Sequence, residues 1–201
     1  IAAMVEINID SNQSYNYNQP NYCYFSDFSM DRSMPSLADP LDTSDEDSLP
    51  DLDNRDVHDF SEGDSLDNWY IVDDGVMGGL SQGSITLSDE GYALFSGTIS
   101  LDNYGGFSSV RYRPQTIDAS KYSKIAIKLK GDQKKYQIRL KTSSGDYYSY
   151  VSEFTTKGEW ESVVIDLNEF YPSFRGRKLR KPNFQSKSIG EIGFLFGNKK
   201  V

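Results

Sequence analysis

The stretch "KIAIKLKGDQKKYQIRLK" (Lys124–Lys141) decides the fold class. In its first half Ile125, Ile127 and Leu129 fall on one side of an extended chain, and Lys124, Lys128 and Lys130 on the other. In its second half Tyr136, Ile138 and Leu140 alternate in the same way with Gln137, Arg139 and Lys141. A period of two is the signature of a strand with one face in a core and one in water. Gly131-Asp132 supplies the turn signal between the halves, so the stretch reads as two adjacent strands.

The same pattern runs outward from it. "ESVVIDL" groups Val163, Ile165 and Leu167, and further strands are predicted at 69–72, 84–88, 92–101, 107–113, 147–154 and 191–196. No segment of helical length carries a 3.6-residue period, and no internal repeat is found. About nine short, half-buried strands predict an all-β, antiparallel sandwich of jelly-roll type over residues 59–201.

Charge divides the chain at the same place. Residues 1–59 carry 13 acidic and 2 basic side chains, and residues 60–201 carry 17 acidic and 19 basic. The net −9 therefore belongs to the N-terminal part, and a body of net +2 is not the strongly basic surface that nucleic-acid binding needs. Residues 1–58 read as an acidic, low-complexity and mostly disordered tail: 11–34 are rich in Asn, Tyr and Ser with no clear period, and in 35–57 scattered single leucines among Pro, Ser and Asp do not bury enough to offset ordering. One exception is "MVEINID" (Met4–Asp10), where Val5, Ile7 and Ile9 alternate with polar residues as a short strand.

Cys23 and His58 are the only cysteine and histidine, which excludes an internal disulfide and a Cys/His zinc site. No metal or cofactor is expected. No apolar run approaches the ~18 residues of a membrane span, and the first residues match neither a signal peptide nor an Arg-rich transit peptide. The compartment is left open.

"GLSQG" (Gly79–Gly83) imitates the G-x-S-x-G turn of serine hydrolases. That turn needs a helix after the serine and a histidine later in the chain. Here "SITL" follows, a strand pattern, and His58 comes before. "GVMGGLSQG" also lacks the spacing and the lysine of a phosphate loop. Asp73 and Asp74, adjacent on one strand end, point apart and do not flank one scissile bond. No catalytic residue is nominated, and the run reads as a glycine-shaped connection in which an Asp caps the turn.

The body resembles the complex I intermediate-associated protein 30 family. The residues that carry the likeness are Trp69, "DDGVMGGLSQG" (Asp73–Gly83), "ALFSGTISLDNYGGFSSVR" (Ala93–Arg111), "LKGDQKKYQIRL" (Leu129–Leu140), "FYPSFRGRKL" (Phe170–Leu179) and "IGFLFGNKK" (Ile192–Lys200). The resemblance implies a galactose-binding-like β-sandwich. It also implies a non-enzymatic, chaperone-like role, as in eukaryotic members that bind partly assembled respiratory complex I in mitochondria; the alternative compartment is the cytoplasm. Gln133 stands where members usually have glycine. The family pattern continues past Val201 by one strand, so the chain reads as a fragment, and Val5–Ile9 is expected to fill part of the sheet edge so exposed.

Candidate contacts are therefore partner-binding ones. Asp74, Met77, Ser81, Asn103 and Arg111 lie in the most family-like segments. Arg111 either pairs with Asp73 or Asp74 or presents its fork to a carboxylate or phosphate. The basic run "FRGRKLRK" contributes Arg175, Arg177 and Lys178 as a docking surface for an acidic partner or for the acidic tail. Tyr148 and Tyr150 are the aromatic candidates, either packed across strands or exposed for stacking on a sugar. The expected partner is a protein assembly intermediate. The alternatives are a carbohydrate, as in carbohydrate-binding modules of similar architecture, or a place as a non-catalytic domain of a larger enzyme.

Overall fold

The structure, a computed structural model, describes residues 5–10, 22–32, 55–60, 65–88, 91–185 and 187–197. Up to residue 56, and at Asp59, Val76, Met77 and Tyr104, the description is of the backbone alone, Met30 excepted. In chain order the strands are β1 (Val5–Asp10), β2 (Tyr22–Arg32), β3 (Arg55–Asp59), β4 (Trp69–Asp73), β5 (Gln82–Ser88) and β6 (Tyr92–Ser100). They continue with β7 (Phe107–Tyr112), β8 (Ile117–Asp118), β9 (Tyr122–Lys130), β10 (Lys135–Lys141) and β11 (Ser149–Thr155). The last are β12 (Trp160–Asp166), β13 (Tyr171–Phe174), β14 (Arg177–Lys178), β15 (Ser188–Ile189) and β16 (Glu191–Gly197).

Two large sheets form. The first runs β12-β9-β2-β1-β6-β5 with β3 paired to β2, and the second runs β14-β13-β11-β10-β16-β7-β4. Alternation dictates their inner faces. Ile125, Ile127 and Leu129 on β9 are fully buried, as are Tyr136, Ile138 and Leu140 on β10 in the other sheet. They share one core with Phe95, Ile99, Val110, Phe170, Ile192 and Phe194. Each such side chain withdrawn from water contributes about 1.5–3 kcal/mol before entropy is counted. The all-β sandwich reading is borne out, and each of the nine predicted strands is present.

The N-terminal part is where the composition misleads. Among its described residues, β1, β2 and β3 all join the first sheet. β2 lies against β9 along most of its length, with Phe28 opposite Ile127, and Met30 is fully buried. β1 lies inside the sheet between β2 and β6, parallel to β6, rather than along an edge. β2 is an interior strand held by backbone bonds on both sides, a partnership that the missing period of residues 22–32 did not report. Residues 1–4, 11–21 and 33–54, the rest of the predicted tail, lie outside the described residues.

An aromatic corner of the same core joins this part to the sandwich. His58 packs edge-on against Phe60 at 4.4 Å between ring centroids, and Trp69 stacks on Tyr112 at 4.8 Å. Trp69 Nε1–H donates to His58 Nε2 at 3.1 Å.

The Gln133 departure has a local cost. Gln133 has φ 65°, the left-handed region that suits glycine, and its side chain lies against Gly158. Replacing Gln133 by Gly is expected to raise stability by up to about 1 kcal/mol. A urea midpoint that moves up at constant slope checks it, and one that moves down means the Gln133 side chain contributes more than the strain costs.

Candidate functional site

β4 ends at Asp73, and a single 3-10 turn, Asp74–Met77, leads towards β5. The turn closes on Gly78, at φ 85°. Asp74 is fully buried in this connection. Its Oδ1 accepts the Ser81 N–H at 3.0 Å. Its Oδ2 accepts the Ser81 hydroxyl at 2.6 Å and the N–H groups of Gly106 at 2.5 Å and Phe107 at 3.2 Å. Two glycines make room for it: a Cβ on Gly79 would sit 2.2 Å from Asp74 Oδ1, and one on Gly105 would sit 2.6 Å from Oδ2.

Burial pushes the Asp74 carboxyl up, but the hydrogen bonds from Ser81, Gly106 and Phe107 outweigh it and hold the group below its ordinary value. Such a carboxylate is a weak base, and the Ser81 hydroxyl it holds has no histidine beside it. Asp74 and Ser81 therefore join two loops to each other. Of the neighbouring candidates, Met77 lies in the same turn, with its side chain outside the described residues. Asn103 is exposed at φ 52°, a conformation asparagine tolerates.

A groove of ≈430 Å³ opens on the outer face of the second sheet. Register builds its floor. Tyr70, Arg111, Gly193, Arg139, Val151 and Tyr171 lie directly opposite one another across six strands, so their side chains share one face. Gly193 carries no side chain, so nothing projects from the sheet between Arg111 and Arg139. Arg111 does not pair with Asp73 or Asp74. Its Nη1 donates at 3.5 Å to Glu191 Oε1, a buried carboxylate already bonded by Tyr70 Oη–H at 2.6 Å and Arg113 Nε–H at 3.1 Å.

Arg139 donates from Nε and Nη2 to Gln137 Oε1, at 3.2 and 2.7 Å. It forms no ion pair among the described residues. Burial, and then the neighbouring Arg111 charge, pulls its guanidinium down from 12.5 to about 10.

The groove's far end is aromatic. Tyr147, 62% exposed, meets Phe174 edge-on at 5.5 Å. Phe174 leads into a two-residue hairpin turn, Arg175 (φ 49°) and Gly176 (φ 76°), which carries Arg175 to the groove's rim. Arg177 and Lys178 lie exposed on the edge strand β14, Lys178 with its Nζ 5.0 Å from the Tyr171 ring centre. Lys181 Nζ stands 4.5 Å over the Tyr148 ring.

Of the aromatic candidates, Tyr148 lines the groove, while Tyr150 packs on the other face against Phe184 at 5.2 Å. Their hydroxyls still meet at 3.2 Å, and burial followed by that hydrogen bond pushes the Tyr150 phenol up to about 12. Tyr148 precedes β11, so strand alternation does not extend to it. Arg139, Lys141, Phe107, Tyr147 and Phe174 line the groove as well and were not among the candidates. Alternation on β10 had already set Arg139 and Lys141 outward; the register that places them beside Arg111 is not local.

Replacing Asp74 by Asn is expected to cost about 2–4 kcal/mol at pH 7, because an amide is set against buried N–H donors. The folded carboxyl is the stronger acid, so its contribution is present above the unfolded value near 3.9 and is lost as pH falls through the folded value. Urea unfolding at pH 7 and pH 3 checks this: the gap between wild type and variant should narrow at the lower pH.

The family model for complex I intermediate-associated protein 30 matches residues 58–201. A Drosophila melanogaster protein named complex I intermediate-associated protein 30, mitochondrial, is 28% identical over 167 residues, covering 72% of this chain and 56% of its own. The proteins of that name from Neurospora crassa and Mus musculus are 24% and 26% identical, covering 73% and 72% of this chain and 68% and 51% of their own. The chain thus spans about half to two thirds of the length of these relatives. Among solved structures, a family 11 carbohydrate-binding module from Clostridium thermocellum in complex with a β-1,3-1,4-mixed-linked tetrasaccharide superposes with a TM-score of 0.54. It is 19% identical and covers 70% of this chain and 85% of its own. The same module of a cellulosomal cellulase gives 0.52 at 20% identity, covering 69% and 83%. The structural likeness shows the sandwich fold. The family match, which runs over the Asp74 connection and the groove strands, carries the assignment: the chain belongs to the complex I intermediate-associated protein 30 family.

Proposed function

We propose that this domain is a non-enzymatic interaction module that docks on a protein assembly intermediate through the groove of the second sheet. The observation that carries the reading is the groove itself. It has a rigid floor set by strand register, exposed aromatic rings at one end and arginines in the centre. Aromatic and arginine side chains in a concave site are the residues that dominate protein interfaces. The relatives' names supply the class of partner, an intermediate of complex I, and the compartment, the mitochondrion.

The test is capture of complex I intermediates from mitochondrial membranes, using a photo-cross-linker at Gln137 on the groove face. The double replacement Tyr147→Ala with Phe174→Ala is expected to lower cross-linking by on the order of tenfold or more, with the circular dichroism unchanged. Cross-linking that survives it places docking elsewhere.

The exposed Tyr147–Phe174 pair also favours a second reading, sugar recognition by stacking. Saturable calorimetric binding of a mixed-linked tetrasaccharide, abolished by Tyr148→Ala or by Tyr147→Ala, would put carbohydrate in the place of the protein partner.

A further inference from the structure

We infer that the groove takes an extended acidic peptide segment, with carboxylates at alternate positions over Arg111, Arg139 and Lys141 and an apolar side chain against Tyr147 and Phe174. This rests on the reading of the groove as the docking surface and names the chemistry of what docks there.

Charge is the first support. The groove is lined by Arg111, Arg139, Lys141 and Arg175, and by no Asp or Glu, so four of the body's cations gather on one face. Outside the lining, Glu153 accepts from Gln137 at 2.9 Å and pairs with Lys135, and Glu191, 3% exposed, already holds Tyr70 and Arg113. Its contacts with Arg111, at 3.5 Å, and Lys141, at 3.6 Å, are the long ones, so both cations keep donors free for a ligand. Arg139 meets only a neutral amide oxygen among the described residues. Two guanidiniums side by side over a bare glycine repel each other, and a carboxylate set across them relieves that repulsion with bidentate hydrogen bonds.

Spacing is the second. Arg139 and Lys141 are alternate residues of one strand, so their side chains rise about 6.6–6.8 Å apart. Alternate side chains of an extended peptide have the same separation. Laid along β10, such a peptide sets one carboxylate at Lys141 and the next at Arg139, facing Arg111 across Gly193. The third support is apolar surface. Phe107 and Leu195 towards Gln137, and Tyr147 and Phe174 beyond Lys141, give the groove a surface that an inorganic anion leaves unused. A volume of ≈430 Å³ lies within the ~300–1,000 Å³ usual for binding clefts.

The test is fluorescence polarisation on the whole chain, with a labelled octapeptide carrying Asp at alternate positions and one Phe. Its counterpart has Asn at each Asp. The Asp peptide is expected to bind at least tenfold tighter than the Asn peptide, and to weaken as salt rises from about 50 to 200 mM. Arg139→Gln should remove that preference while leaving the Asn peptide unaffected. Lys141→Gln should reduce it too, and serves if the first variant does not fold. Equal binding of the two peptides overturns the acidic assignment and leaves the groove as a docking surface. Displacement of the Asp peptide by equimolar phosphate or glucuronate overturns it in favour of a small anion. No binding of the Asp peptide at low salt overturns it as well, while cross-linking at Gln137 still decides the docking reading separately.

Discussion

One carboxylate holds the corner of the sandwich. Asp74 follows β4 of the second sheet, and its oxygens receive Ser81, which leads into β5 of the first sheet, and Gly106 and Phe107, which open β7 of the second. Four hydrogen bonds converge on a group with no access to water. The desolvation of a buried charge is tolerable only when its lone pairs are filled in this way. The glycine-rich run around it follows from that demand, since neither Gly79 nor Gly105 has room for a Cβ beside the carboxylate. Because Gly106 and Phe107 also line the groove, the clamp sets one wall of the binding surface as well as the fold.

The groove floor answers to a different constraint. The inner face of the second sheet is mostly apolar, but the outer face carries Arg111, Arg139, Lys141 and the buried Glu191 on three neighbouring strands. Glu191 neutralises the end of the floor nearest Tyr70 and Arg113, and the centre keeps its positive charge. An arginine whose guanidinium is pulled down to about 10 by burial and by a like charge sits in surroundings that favour an added anion. A surface of this kind suits binding better than stability.

Much of this was legible in the residues. Alternation in 124–141 and 161–167 put the right side chains inward, and "GLSQG" was separable from a hydrolase elbow because "SITL" follows as a strand, here β5. Arg175 was singled out within a basic run, though its place on a hairpin tip at the rim was not. The reading failed where partners decide the outcome. Residues 22–32 show no clear period, yet β2 pairs with β9 along most of its length. Tyr150 turned inward and Tyr148 outward, since the strand begins between them.

Side-chain alternation is a local property, so the sequence alone determined that this chain is a β-sandwich and which face of its alternating strands, such as 124–130 and 135–141, meets the core. A family signature is local too, and the run Asp73–Gly83 carried it. What only the tertiary structure decided is which strands lie side by side. Arg111, Gly193 and Arg139 come from three separate parts of the chain, and they form one surface only because β7, β16 and β10 pair in a single register. Register is set by backbone hydrogen bonds between distant segments, and a one-residue slip would turn those side chains to the other face.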